Sequence, residues 1–277
     1  MDATTRKKFL GNKGFVLFGI LAIIIVLIAI FAPVLAGGID PTVGELKDAI
    51  MPPSDEHIFG TDKMGRDIYA RVLYAARISL SSTFVLVLLI FVVGTALGVV
   101  SGYFGGWVDA VIMRIADMMI AFPGLVLAIA VAGMLGASMR NAIIAITLVT
   151  WPKYARMARS LVLKVRHTDY VYAAIVTGSS TWRMLWKYML PNTITTLVIT
   201  AATDIGGMMM ELAALSFLGF GAQPPTPEWG QMLNEGRNFM QSAPWLMIYP
   251  GLAIFITVVV FNMLGDGLRD ILDPRNE

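Results

Sequence analysis

The stretch Lys153–Asn192 reads KYARMARSLVLKVRHTDYVYAAIVTGSSTWRMLWKYMLPN. It is charged and helix-forming, and it lies between two apolar runs. Thr168 or Asp169 suits the N-cap of a short helix. Val171, Ala174, Ile175 and Gly178 then recur at i, i+3, i+4 and i+7, a narrow face of small residues. Gly178 permits the bend or left-handed residue that ends such a helix. Ser179 or Ser180 can start the next one, on which Trp182, Leu185, Trp186 and Met189 make a second apolar stripe. Arg183 and Lys187 lie elsewhere on that helix, and Pro191 is placed to begin a following helix. Two amphipathic halves joined at a glycine fit either a helix lying on lipid headgroups or one docked on a protein. Periodicity does not separate the two.

The surrounding sequence is mostly membrane. Of 277 residues 57% are hydrophobic and 14% charged, against about 25% charged in a soluble domain. The apolar residues are gathered into long runs, as in a polytopic membrane protein. There are 26 Gly and 18 Met, both suited to close helix packing in lipid. The absence of Cys excludes disulfides and thiolate metal sites. The net charge of +2 is small and its basic residues flank apolar runs, which argues against a nucleic-acid partner.

Six spans are expected. Gly14–Ala36 follows Arg6, Lys7, Lys8 and Lys13; it exceeds the 7–15 residues usual for a signal-peptide core and reads as a retained span. The others are Ile78–Val108, Met118–Met139, the weak Asn141–Pro152 with Arg140 and Lys153 snorkelling at its ends, Thr193–Phe220, and Trp245–Leu264. The N-terminal tail then carries four Lys or Arg, the 153–192 segment seven and the C-terminal tail two. The positive-inside bias puts all three in the cytosol. The expected architecture is an all-α membrane protein, N-in and C-in. It comprises a cytosolic tail (1–13), a first span (14–36), an external loop (37–77) and a five-helix core (78–277). The core carries the cytosolic segment 153–192 and a second external loop, 221–244.

The segment resembles the cytoplasmic loop of permease subunits from ATP-binding-cassette importers. That family carries Glu-Ala-Ala, three residues, Gly, nine residues, Ile, one residue, Leu-Pro. Ala173, Ala174, Gly178, Leu190 and Pro191 stand at those positions, with Tyr172 in place of the Glu and Tyr188 in place of the Ile. Ordered matches elsewhere are similar to the peptide and nickel branch, and to the second of its two permeases. They are His57-Ile58-Phe59-Gly60-Thr61-Asp62, Gly65-Arg66-Asp67, Ala76-Arg77-Ile78-Ser79-Leu80 and Leu215 through Gly221. Pro224-Pro225, Glu228-Trp229-Gly230, Gly265 through Asp270 and Leu272-Asp273-Pro274 complete them.

The resemblance implies a type I importer permease fold in a bacterial cytoplasmic membrane. It further implies a sister permease, two ATPase subunits holding ATP and magnesium, and an external substrate-binding protein. Ala173, Ala174, Gly178, Trp182, Leu190 and Pro191 would couple the chain to the ATPase. No Gly-x-x-x-x-Gly-Lys-Ser/Thr loop occurs, so no cofactor is expected on this chain and no catalysis. A passive channel or scaffold is the alternative from another class.

Asp204 is the sharpest candidate for meeting a substrate. An ionisable residue deep in a span faces a cavity or a partner charge. Met208 and Glu211 follow at i+4 and i+7 on one face. A carboxylate, a thioether and a second carboxylate suit a divalent cation or a positive ligand end; a structural pair with a base on the sister subunit is the competing reading. Asp204-Ile205-Gly206 with Met208-Met209 resembles nickel permeases, which makes nickel or a nickel chelate the expected cargo, with Asp204 as metal ligand, and a short peptide the alternative. Arg114 and Asp117 are expected to pair locally. His57 and His167 fall on opposite sides of the membrane and cannot share a metal.

Overall fold

The computed structural model describes residues 11–272. Tail residues Arg6, Lys7 and Lys8 and the Asp273-Pro274 end of the last motif lie outside them. The described residues are helical except for connecting segments and a single β-bridge, Thr61 to Asp67. α1 is Lys13–Ile30 and α2 is the turn Ala32–Leu35. α3 spans Ile68–Phe104, starting ten residues before the expected span. Asp67 accounts for that start, because its Oδ1 accepts the Ala70 N–H at 2.9 Å and caps the helix. α4 (Gly106–Ile120) and α5 (Gly124–Leu135) meet at a 96° bend. Pro123 lacks an N–H and disfavours helical backbone at Phe122, so the helix breaks there.

α6 is Met139–Arg166 and α7 is Asp169–Val176. α8 is one rod, Thr181–Phe217, containing a π-turn at Met184–Met189. α9 (Trp229–Gly236) lies in the second outer loop and α10 is Trp245–Leu272. α1, α3, α8 and α10 are each long and apolar enough to cross a membrane, and the bent α4–α5 pair, counted as one span, is a fifth. α6, the expected fourth span, falls short on composition because Lys153, Arg156 and Arg159 lie along it.

Contacts between helices fix their directions. Gly94, Gly98 and Gly102 of α3 face Trp151–Tyr154, Ala155–Ala158 and Arg159–Val162 of α6 in ascending order, so these two helices are parallel. Gly206 of α8 faces Asn262 of α10, and Gly265 faces Thr203, so this pair is antiparallel. Gly19 meets Leu264 and Gly267 meets Phe15, which sets α1 antiparallel to α10. Lys13, Phe104, Arg166, Thr181 and Leu272 therefore share one end of the bundle. By the charge bias this is the inner end, with both described termini on it.

The α3–α6 seam depends on its glycines. A Cβ on Gly98 would overlap the Ala155 carbonyl oxygen and lie 2.6 Å from the Ala158 Cβ; one on Gly102 would lie 2.9 Å from the Val162 Cβ. Small residues spaced by four let helix backbones approach closely where the hydrophobic effect supplies no drive. Around the seam, Leu86, Ile90, Ile146, Val149, Leu197 and Leu215 form the main core. A second core joins α1, the outer part of α3, α9 and α10.

Gly98→Leu is expected to cost at least about 1–3 kcal/mol, because the obstructing atoms belong to backbone. A lower unfolding midpoint in detergent, with loss of monodisperse protein, checks this. Gly207→Ala, at a site with nothing within 4 Å of a new Cβ, should leave the midpoint unchanged.

Candidate functional site

At the inner end, α7 closes in a complete Schellman turn. Gly178 has φ +77°, its N–H donates to the Ile175 oxygen, and the Ser179 N–H donates to the Ala174 oxygen. Ser180 then caps α8, its Oγ accepting the Arg183 N–H at 3.4 Å. Val171 and Ala174 point into the bundle. Tyr172, Ala173 and Ile175 face outward with Val176, which is 87% exposed. The tip of this elbow is thus an apolar surface that none of the described residues covers. Tyr172, standing where the family pattern has Glu, places its hydroxyl 3.0 Å from His167 Nδ1.

The expected stripe Trp182–Leu185–Trp186–Met189 is divided. Trp182 and Trp186 are exposed, whereas Met184 and Met189 are buried. A π-turn bonds i to i+5 and winds more slowly than an α-helix, and both Met184 and Met189 fall on its buried side. Pro191 is exposed and Leu190 half-buried at the base of α8.

The segment 153–192 is not one unit of structure. Residues 153–166 belong to α6, and three of their cations pair with acids on neighbouring helices. Arg159 Nε lies 2.5 Å from Asp109 Oδ1, and Arg156 Nη2 lies 2.5 Å from Asp117 Oδ1. Asp117 therefore pairs across helices with Arg156, not locally with Arg114. Lys153 Nζ lies 2.8 and 2.6 Å from the two Asp204 oxygens, and the Tyr154 hydroxyl donates to Asp204 Oδ2 at 2.9 Å.

Asp204 is thus paired, but with a base of its own chain. The Asp204–Met208–Glu211 face is only partly realised. The open face of α8 is centred on Gly207. Asp204 and Glu211 lie within about 60° of it at 100° per residue, while Met208 is turned about 100° away and buries in the core. Periodicity from Asp204 alone did not reveal that centre, and Lys153 was missed because α6 continues through Pro152.

The outer end is held by a buried charge network. Arg66 Nε donates to Asp62 at 2.6 Å and its Nη2 lies 3.1 Å from Glu235. Arg71, 1% exposed, donates to Glu235 at 3.0 Å, to the Pro41 oxygen at 3.0 Å and to the Pro225 oxygen at 3.3 Å. His57 Nδ1 lies 2.9 Å from Asp67 Oδ2, supporting the cap of α3. Glu228 caps α9 by accepting the Gly230 and Gln231 N–H groups and binds the Ser79 hydroxyl. Burial pushes its carboxyl above the ordinary glutamate range, opposed by those two N–H groups. The Gly65-Arg66-Asp67 turn is therefore engaged inside the protein.

The structure is a membrane-spanning helical bundle with a braced outer cap, an apolar inner elbow and ion pairs between its helices. Residues 94–277 match the binding-protein-dependent transport system inner membrane component family, and residues 3–53 match the N-terminal transmembrane domain of oligopeptide transport permease C. The chain belongs to the binding-protein-dependent inner membrane component family.

It is 44% identical over 269 residues to the dipeptide transport system permease protein of Alkalihalophilus pseudofirmus, covering 97% of this chain and 88% of that one. It is 46% identical over 223 residues to the glutathione transport system permease protein of Pectobacterium atrosepticum, covering 80% and 74%. A probable D,D-dipeptide transport permease of Escherichia coli is 42% identical over 265 residues, covering 96% and 89%. The crystal structure of an amino acid ABC transporter shares the fold, with TM-score 0.51 at 16% identity, covering 71% of this chain and 91% of that one.

The chain is an ABC importer permease subunit, a non-enzymatic, multi-pass protein of the bacterial inner membrane. Such a subunit works with a partner permease, ATPases and a substrate-binding protein. The nickel expectation finds no support. The relatives above are named for peptides and glutathione, and no group of three His, Asp or Glu among the described residues could hold a metal. The Asp204 carboxylate is occupied by Lys153 and Tyr154.

Arg71→Met removes the cation shared by Glu235 and the Pro41 and Pro225 carbonyls. Breaking one side of a buried network costs about 3–5 kcal/mol. The expected outcome is a markedly lower unfolding midpoint and faster proteolysis within 37–67 and 221–244.

Proposed function

We infer that this chain forms half of the membrane pathway of an ATP-driven importer of short peptides, with α7 and the start of α8 as its coupling element. The peptide reading, the alternative that the sequence left to nickel, is supported by near end-to-end similarity to permeases named for dipeptides, D,D-dipeptides and glutathione. The coupling reading is carried by one observation, the uncovered apolar tip of α7 ahead of a rigid glycine turn. An exposed apolar tip at the inner end suits a cleft in a cytosolic partner better than the headgroup layer, because Val176 projects away from the bundle.

In this reading the partner is one of two ATPase subunits, which bind ATP and magnesium while this chain binds neither. A sister permease completes the pathway and an external binding protein delivers the peptide. Ala173 and Ala174 form the short-side-chain stretch of the docking helix, and Gly178 turns the chain. Trp182 flanks the contact, and Leu190-Pro191 joins the turn to the spanning part of α8. Closure of the ATPases moves the elbow, and α8 transmits that motion as a rigid body.

Gly178→Val forces a β-branched residue into left-handed backbone. In cells carrying the whole system, uptake of a labelled dipeptide should fall at least about tenfold, a loss of about 1.4 kcal/mol or more in coupling. The subunit should remain in the membrane and the ATPase should copurify poorly. Wild-type cells that accumulate labelled nickel but no dipeptide would refute the substrate class. Unchanged uptake in the variant would refute the coupling role.

A further inference from the structure

We propose that Lys153 and Glu211 form a two-point site for the charged termini of a short peptide, its carboxylate on the Lys153 ammonium and its ammonium on the Glu211 carboxylate. This inference rests on the peptide reading above and identifies the groups that would recognise the cargo within the bundle.

The ammonium of Lys153 has three N–H donors. Two are directed at Asp204 Oδ1 and Oδ2, at 2.8 and 2.6 Å. The Asp204 side chain is 15% exposed and also accepts from Tyr154, whereas that of Lys153 is 53% exposed. The carboxylate is thus engaged by three donors and turned inward, and the cation is positioned with a donor to spare. An anion can approach Lys153 without breaking the pair.

Glu211 lies two helical turns beyond Asp204, about 10.5 Å along α8. It is exposed, no hydrogen bond or salt bridge ties it to another described residue, and the charges it faces are those of Lys153 and Asp204. Carboxylates at such depth are costly unless they meet a cation or a wet cavity. Between the two charged positions lies Gly207, where an added Cβ would touch nothing within 4 Å. The surface separating cation from anion is therefore flat bare helix, wide enough for a backbone to lie across.

An extended chain advances about 3.3–3.6 Å per residue. Two or three residues, together with the reach of the Lys and Glu side chains, match the separation. A zwitterion crossing a low-dielectric region needs both of its charges compensated, and this face offers one group for each.

The test uses the complete importer in proteoliposomes with its binding protein, reading labelled dipeptide accumulated per ATP hydrolysed. Glu211→Gln and Gly207→Leu should each lower that ratio by about tenfold or more, the scale of one lost charge-assisted hydrogen bond. Their unfolding midpoints should match the wild type. The double exchange Lys153→Asp with Asp204→Lys restores the pair in reverse, and should recover stability but not uptake.

Ratios in Glu211→Gln and Gly207→Leu within about twofold of the wild type, below one such bond, would overturn the site. So would recovered uptake in the double exchange, which would make the pair purely structural. Failure of Glu211→Gln to assemble with the sister subunit would assign that carboxylate to the subunit interface and equally overturn it. A wild-type importer that accumulates no dipeptide would instead refute the peptide reading itself.

Discussion

The close approach of α3 and α6 is the constraint on which the rest of the bundle depends. Three glycines at intervals of four allow one backbone to run against the other, with Ala155 and Ala158 as the facing knobs. Helices at this distance have a single register, because a shift of one residue would bring a side chain against a carbonyl. On its other sides α6 pairs Lys153 with Asp204 of α8, and Arg156 and Arg159 with Asp117 and Asp109 of α4. α6 tolerates its cations in an otherwise apolar bundle because each of these three meets an acid from a neighbour.

The two ends of the molecule are built on opposite principles. The outer cap is internally satisfied, with Asp62, Arg66, Arg71 and Glu235 closing on one another and on backbone carbonyls. The inner elbow is sparsely packed. Val171 and Ala174 anchor α7, while Val176 is exposed and Trp182 leans only on Trp186 and an open apolar cleft beside α3. A braced end and a lightly held end are what a subunit needs if it is to be moved from one side without losing its shape on the other. Structural strength and mechanical access are separated by the thickness of the bundle.

Much of this was legible in the sequence. The long apolar runs and the charge bias gave the helical membrane class and the orientation, and the Ala-Ala-x3-Gly spacing located the elbow and its turn. Helix ends were less legible. Asp67 caps α3 in a stretch whose charges read as loop, and Arg71 is hidden inside a helix by partners 154 and 164 residues away. The division of the tryptophan stripe could not be read with a period of 3.6, because a π-turn changes the period locally. Lys153 marked the edge of a span only so long as Pro152 was taken to end it. Its partner Asp204 is 51 residues distant, and no local pattern connects the two.

The 37 residues of α8 include both the elbow base at Thr181 and the carboxylate at Asp204, about 35 Å apart along the axis. No break interrupts them; the π-turn alters the winding but leaves the rod continuous. Such a rod is a lever. Held near its middle, it would convert a tilt of about 10° into about 5 Å of travel at the elbow base, about 27 Å from that point, but only about 1 Å at Asp204, about 7.5 Å beyond it. The Lys153–Asp204 pair, beside that point, would stay nearly in place while the elbow swings, so it would serve as the hinge of the lever and not as its load.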